Sequence, residues 1–474
     1  MNKLTKIIAT IGPSSDSKTQ IKNLIKSGVN IFRFNFKHGE VEWHNERISR
    51  VNEVSTELKK NVGILIDLQG PEIRINMPTE KISLTKGEII TFGEDVYTTG
   101  KKGFSITHPD IIEHLVNNQT IYVDDGYFSF IVKKDSEKTF LESQTTGELV
   151  TRKSLNIPGA DFPFPVLIDR DFDGLKLAAK NSIDFIALSM VRSANDLKIV
   201  KKEAEKFGVK GKLVAKIETQ KALNDIDNII DVSDGIMIAR GDLGVEIPIE
   251  QVPYFQKMII NKCRDRSKFV ITATQMLQSM IKEPFPTRAE VSDIANAVYD
   301  YTDCVMLSGE TANGEYPLKA VEMMEKTVTF YETKTENNLA NLPKKIVDET
   351  SALICDAAYD LYLDYIQGEK DISGFIVFSQ TGKTASIISS YRPKVPIFAF
   401  VPDKKICDYL TACFGVESFP FKFKGSDQVT LHELNEGVQI LENLKFLNQS
   451  RGKLIVIHGD KWGQGTGATT IRIV

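Results

Sequence analysis

The chain has 474 residues, 42% of them hydrophobic and 26% charged, with a formal net charge of −4. That length divides into two or three domains, and the composition belongs to globular proteins rather than disordered or fibrous ones. So small a net charge gives no overall pull toward nucleic acid or an anionic membrane, and no apolar run approaches the length of a membrane span.

The first residues run straight into a strand pattern, without the apolar stretch of a signal peptide. The five cysteines (Cys263, Cys304, Cys355, Cys407, Cys413) form no C-x-x-C pair and are odd in number. Reduced, buried thiols in a cytoplasmic protein are the expectation.

Eight short runs rich in Ile, Val and Phe are predicted as strands, at 6–11, 29–36, 62–67, 183–189, 212–217, 234–239, 268–273 and 303–308. Their near-continuous hydrophobicity suits strands buried on both faces. Most of the intervening segments carry helical spacing, such as Ile21, Leu24 and Ile25, with Asp16, Ser193 and Thr287 as expected N-caps. Nearly every run ends in a residue able to bind phosphate, metal or carboxylate. Eight strand–helix units with polar endings predict an α/β fold, a (β/α)8 TIM barrel with its chemistry at the C-terminal strand ends.

Between the third and fourth strands lies an insertion at 71–163 with polar–apolar alternation and Gly-rich turns. It reads as a small β-barrel domain rooted in a loop of the barrel, placed to act as a lid. Residues 1–70 and 164–336 are then the catalytic barrel. After a polar linker at 337–345, strand patterns at 374–379, 396–402 and 453–460, with an edge strand at 469–474, predict a C-terminal open α/β domain over 345–474.

Lys216 and Glu218 end the fifth strand on one face, and Asp242 follows the sixth within Ala239-Arg240-Gly241-Asp242-Leu243-Gly244. Two carboxylates with open positions suit Mg²⁺, which retains water and substrate oxygens as ligands. A structural Lys–Glu pair is the competing reading for the first motif alone. Arg33 and Asn35 share a face of the second strand, so a buried Arg33 would meet either a substrate phosphate or Asp67. Thr274, at the mouth of the seventh strand, is placed to hydrogen-bond a carboxylate or orient a water.

Taken in order, Thr10-Ile11-Gly12-Pro13-Ser14-Ser15, Gly70-Pro71-Glu72-Ile73-Arg74, Asn156-Ile157-Pro158-Gly159, Lys216-Ile217-Glu218, Thr274-Gln275-Met276-Leu277 and Pro286-Thr287-Arg288-Ala289-Glu290 resemble the pyruvate kinase family over almost the whole chain. The resemblance implies phosphoryl transfer from phosphoenolpyruvate to ADP, giving pyruvate and ATP at the last step of glycolysis. It implies Mg²⁺, with Mn²⁺ as a substitute, on Glu218 and Asp242. Lys216 would stabilise the transferring phosphoryl group and the enolate, Arg33 would grip the phosphate, and Gly241, Asp242 and Thr274 would hold the substrate. Arg74 and Lys153 at the roots of the lid, with Asn35 and His38, would meet the nucleotide. A homotetramer is usual, with the helix at 289–301 as the suspected contact.

Two departures stand out. The family's monovalent-cation site reads Asn35, Lys37, Asp67 and Leu68, so a Ser and a Thr ligand are replaced. The expectation is that the Lys37 ammonium takes the place of K⁺, making the ion dispensable. Gln69 also stands where relatives often carry Lys.

In the last domain, Ser379-Gln380-Thr381-Gly382-Lys383-Thr384 joins a strand to a helix and offers an anion site. It is no Walker A loop, because Val377 occupies the required Gly position. With the Gly-rich 463–467 stretch, it resembles the family's effector pocket for a phosphorylated metabolite. A barrel lyase acting on a pyruvate enolate and a non-catalytic metabolite sensor remain alternatives, to be separated by assaying pyruvate formation with and without ADP and Mg²⁺.

Overall fold

The computed structural model describes residues 3–135, 138–159, 164–335, 342–343, 350–423, 431–447, 452–459 and 467–474. The linker at 337–345 and the 463–467 glycine stretch lie mostly outside them. None of the described helices is long and apolar enough to cross a membrane.

Eight parallel strands close into a barrel: Lys6–Thr10, Val29–Asn35, Gly63–Asp67, Phe185–Leu188, Lys212–Ile217, Gly235–Ala239, Phe269–Ala273 and Cys304–Leu307. Each pairs with its sequence neighbours, and the last pairs with the first. The registers Thr10↔Arg33, Asn35↔Asp67 and Ala239↔Ala273 bring the polar strand ends to one rim. Side chains pointing outward pack under the helices, while Ile8, Leu65, Phe185, Val214, Met237 and Phe269 fill the interior.

The opposite rim is stoppered by the C-terminal domain. Ala412 belongs to the barrel's interior cluster and Tyr409 packs against it, with its ring 6.3 Å from Phe269. A Cβ on Gly63 would lie 2.6 Å from Thr411 Oγ1, so the absence of a side chain there lets this segment seat. Buried Arg392 and Asp303 pair at 2.6 Å across the same seam. Lys6 donates to the Val416 carbonyl at 2.7 Å.

The insertion forms a seven-stranded sheet and a two-stranded ribbon, mostly antiparallel. Both share one apolar core, with Leu84 and Leu149 of the ribbon packing alongside Phe104, Phe130 and Val132 of the sheet. Among the described residues, the C-terminal domain carries a five-stranded sheet of Ile372–Phe378, Ile397–Val401, Val416–Pro420, Lys453–His458 and the antiparallel edge strand Thr470–Ile473.

Two sequence expectations need correction. The first helix, Lys18–Lys26, is capped by Ser17, whose hydroxyl accepts the Gln20 amide at 3.2 Å. Asp16 instead accepts from the Arg47 guanidinium at 2.9 and 3.0 Å. Strand Val416–Pro420 has no counterpart in the predicted pattern; it is a sheet edge with alternating burial and a closing Pro. Thr287 caps its helix in a full capping box with Glu290, whereas Ser193 stands at an N-cap without a side-chain bond.

Candidate active site

Lys216 is the centre of the polar rim. Its buried ammonium lies 2.8 Å from Glu218 Oε1 and 3.3 Å from Asp67 Oδ1, and it donates to Ser189 Oγ at 2.7 Å. Burial works against this charge, but Asp67, Glu218 and Asp242 outweigh it and keep the amine protonated. Burial likewise pushes the Asp67 carboxyl up, yet Lys216 and then Arg33 hold it below its usual range. Glu218 follows the same logic, and its second oxygen accepts the Met190 amide at 2.6 Å.

Arg33 is oriented by the strand ends beside it. Its guanidinium meets Asp67 Oδ2 at 2.7 and 2.8 Å and donates to Thr10 Oγ1 at 3.0 Å. The alternative of an Arg33–Asp67 pair is therefore real in this structure. It also fixes the fork at the rim. Asn35 Oδ1 accepts the Lys37 amide at 3.1 Å, and Lys37 Nζ lies 3.4 Å from Glu72 Oε1. Leu68 is fully buried, presenting hydrocarbon.

Asp242 opens the short helix Arg240–Glu246. Burial first, and the Glu218 carboxylate second, push its carboxyl up to about 7. Two carboxylates crowded this way form a hard, oxygen-only donor pair, which fits a divalent cation that neutralises both. Among the described residues no larger group of His, Cys, Asp or Glu converges on a metal position. A cation there would complete its shell with water and substrate oxygens.

Thr274 has φ +65° and Gln275 +55°, left-handed conformations that a β-branched residue rarely adopts. The turn aims the Thr274 hydroxyl at the sixth strand's end, where it accepts the Gly241 amide at 2.9 Å. The sequence reading selected Thr274 by position alone, without this backbone.

At the lid roots, Arg74 pairs with Ser154 in an antiparallel bridge, which sets Arg74 beside Lys153. Arg74 holds Glu72 Oε2 at 2.8 Å, and Lys153 holds Asp124 Oδ1 at 2.9 Å. Burial, then Arg74 and Lys37, lower the pKa of His38. Glu246 accepts the amides of Gly159 and Gln220, tying the second lid root to the barrel; burial pushes its carboxyl up to about 7.

A cavity of about 500 Å³ opens beside Arg33, Asn35 and His38, with Pro13, Trp43 and Asn313 on its walls. Ser308 Oγ and His44 Nδ1 are buried in its lining and have no hydrogen-bond partner among the described residues. Sequence reasoning passed over Trp43 and Asn313. The signal available was an aromatic side chain five positions beyond His38, one of only two tryptophans in the chain.

The proposed effector loop joins strand Ile372–Phe378 to helix Lys383–Ser390. Gly382 takes φ +80°, and its amide donates to Ser379 Oγ at 3.0 Å. Thr381 Oγ1 accepts the Lys383 amide at 3.4 Å, and Thr384 is buried.

Residues 2–321 match the family model described as "Pyruvate kinase, barrel domain", and 363–474 the one described as "Pyruvate kinase, alpha/beta domain". A pyruvate kinase of Clostridium acetobutylicum is 38% identical over 447 residues, covering 92% of each chain. One of Lactobacillus delbrueckii subsp. bulgaricus is 38% identical over 99% of this chain and 80% of its own length. One of Trypanoplasma borreli is 40% identical over 86% and 82% respectively. Matches of this identity and extent, on a barrel whose rim carries Lys216, Glu218, Asp242 and Thr274, make the chain a member of the pyruvate kinase family.

Proposed function

We propose that the rim residues carry out the family's reaction in distinct roles. The reaction is transfer of the phosphoryl group of phosphoenolpyruvate to ADP, giving ATP and pyruvate. The observation that carries the assignment of roles is the ammonium of Lys216, held charged and fixed among Asp67, Glu218 and Ser189. A preorganised cation at a buried site stabilises charge that develops on the phosphoryl oxygens and on the departing enolate.

Glu218 and Asp242 would hold Mg²⁺, or Mn²⁺ in its place; when bound, the ion supplies Lewis-acid charge to substrate oxygens. Arg33, steadied by Asp67 and Thr10, grips the phosphoryl group through its remaining N–H groups. The Gly241–Thr274 contact holds the substrate's carboxylate side, and the Thr274 hydroxyl orients the water that protonates enolpyruvate. ADP enters the cavity beside Asn35 and His38, with Arg74 and Lys153 closing on its phosphates. The cavity's size, its Trp43 and Pro13 walls and its place next to Arg33 support that reading.

The family generally depends on Mg²⁺ and K⁺. In this chain the reading is that Lys37 replaces K⁺, supported by its approach to Glu72 and by the downward pull its charge exerts on Asp67, Glu218 and Asp242. A phosphorylated metabolite at Ser379–Thr384 is the proposed effector, supported by the loop's left-handed Gly382 and helix start. The division into a barrel at 1–70 and 164–336, a lid at 71–163 and a regulatory domain at 345–474 belongs to the same reading. So do cytoplasmic location and a homotetramer, the latter supported by exposed Tyr254, Phe285 and Tyr299 on or beside adjoining helices.

One assay tests the core of the reading: pyruvate release from phosphoenolpyruvate, with ADP and Mg²⁺ each withheld in turn. Release without ADP would mean that water takes the phosphoryl group and would overturn the kinase reading, and no release under any condition would favour a sensor or a lyase with a different substrate.

A further inference from the structure

The left-handed turn at Thr274–Gln275 is costly for non-glycine residues and persists only where its surroundings over-determine it. The structure shows what does so. Arg240, at the end of the sixth strand, reaches across to the seventh and donates to the Ala273 carbonyl at 3.2 Å and the Thr274 carbonyl at 2.8 Å. It also contacts Met276 Sδ at 2.8 Å. Its fork is held from behind by both oxygens of Asp293, at 2.6 and 2.7 Å, and by Gln256 Oε1 at 3.2 Å. Asp293 sits on the outer helix Arg288–Tyr299, well away in sequence from both strands. The turn's far side is pinned by buried Glu310, which accepts the Leu277 amide at 3.1 Å and the Ser308 amide at 2.7 Å.

We infer that Arg240, backed by Asp293, is a positioning residue that holds Thr274 in its left-handed conformation and so keeps its hydroxyl on the substrate side of Gly241. Arg240 directs its donors at backbone carbonyls of the turn, where a point-charge ammonium could not engage two carbonyls and both carboxylate oxygens together. Its effect on the reaction is therefore exerted through Thr274. The inference rests on the role given above to Thr274.

A double-mutant cycle in the full chain tests it, using Arg240→Lys, Thr274→Ala and the pair, with kcat, KM for each substrate and melting temperature recorded. Arg240→Lys is expected to lower kcat by about 100-fold, as for an ångström-scale misplacement, with KM for ADP nearly unchanged. In the Thr274→Ala background the same change should cost no more than about three-fold, because its target is already gone. An equal loss in both backgrounds overturns the inference, as does a single mutant that loses less than about three-fold. If Arg240→Lys does not fold, Asp293→Asn takes its place in the cycle under the same criteria. A Thr274→Ala enzyme with full kcat overturns the role of Thr274 itself, and this inference with it; a slowed Thr274→Ala enzyme with additive losses overturns this inference alone.

Discussion

Arg392 and Asp303 form a buried ion pair at 2.6 Å that joins the C-terminal domain to the base of the eighth barrel strand. The pair is fully engaged, since Asp303 also accepts the Val270 and Phe414 amides at 3.0 Å and Arg392 donates to the Tyr301 carbonyl at 2.9 and 3.0 Å. Removing one partner strands the other charge in a dry seam. Arg392→Ala should therefore cost roughly 3–5 kcal/mol of unfolding free energy, measured by denaturant titration. A loss under about 1 kcal/mol would mean that water reaches the seam.

Lys216→Met should fold but with lowered stability, because it strands the buried Asp67 and Glu218 carboxylates that the ammonium neutralises. It should also lower kcat by at least about 100-fold, the scale for losing one preorganised stabiliser of developing charge. Phosphoenolpyruvate binding, followed by calorimetry, should survive. Unchanged turnover would remove Lys216 from the chemistry.

Lys37→Ser restores a hydroxyl where the ammonium now stands. Assayed in buffer whose sole monovalent cation is a bulky quaternary amine, the parent enzyme should be active and the variant slow. Adding K⁺ should accelerate the variant more than the parent. A parent enzyme that itself needs K⁺ would refute the replacement.

The pH dependence of stability should carry a signature from Asp184. Burial, and then Asp408, push its carboxyl up to about 6, while Lys405 and the Ile64 amide pull the other way. The folded state thus holds a proton that the unfolded chain, with an ordinary Asp near 3.9, releases. Stability should fall as pH rises from about 4 to about 6, by up to roughly 3 kcal/mol, and level off above that window. Asp184→Asn should flatten the slope while keeping an acceptor for the Ile64 amide, 2.9 Å away. An identical slope in the variant would assign it to another group.

Much of this architecture is legible in the amino-acid sequence. The barrel strands are legible because burial on both faces leaves little room for polar positions before the strand ends, as in Gly63–Asp67, where every residue is buried and Asp67 alone, at the end, is charged. Edge strand Val416–Pro420 was not readable for the converse reason: one side faces solvent and its run is short. Asp16 and Ser17 are both good caps by residue type, and a distant partner, Arg47, decided between them. At the site, side-chain chemistry and strand-end position were enough to select Lys216, Glu218, Asp242 and Thr274. What no local pattern carried was the backbone of Thr274, since threonine is among the residues least disposed to positive φ, and the Arg240–Asp293 contact, which spans 53 positions.

Gly63→Ala offers a direct probe of the seam between the domains. The new methyl would press on Thr411 Oγ1 and on the Phe185 ring, at 2.6 and 2.9 Å. Overpacking of this kind should cost about 1–3 kcal/mol, read as a lower denaturation midpoint. Full stability would show that the segment around Thr411 can withdraw.

The stopper formed by Tyr409 and Ala412 has a bearing on how this enzyme could be shortened. A barrel expressed alone would expose Phe185, Phe269 and their neighbours to water at its lower opening, an aggregation-prone wound in an otherwise complete cylinder. The C-terminal segment is therefore no detachable appendage: the fold that performs catalysis ends only where residues contributed from beyond position 400 have closed it.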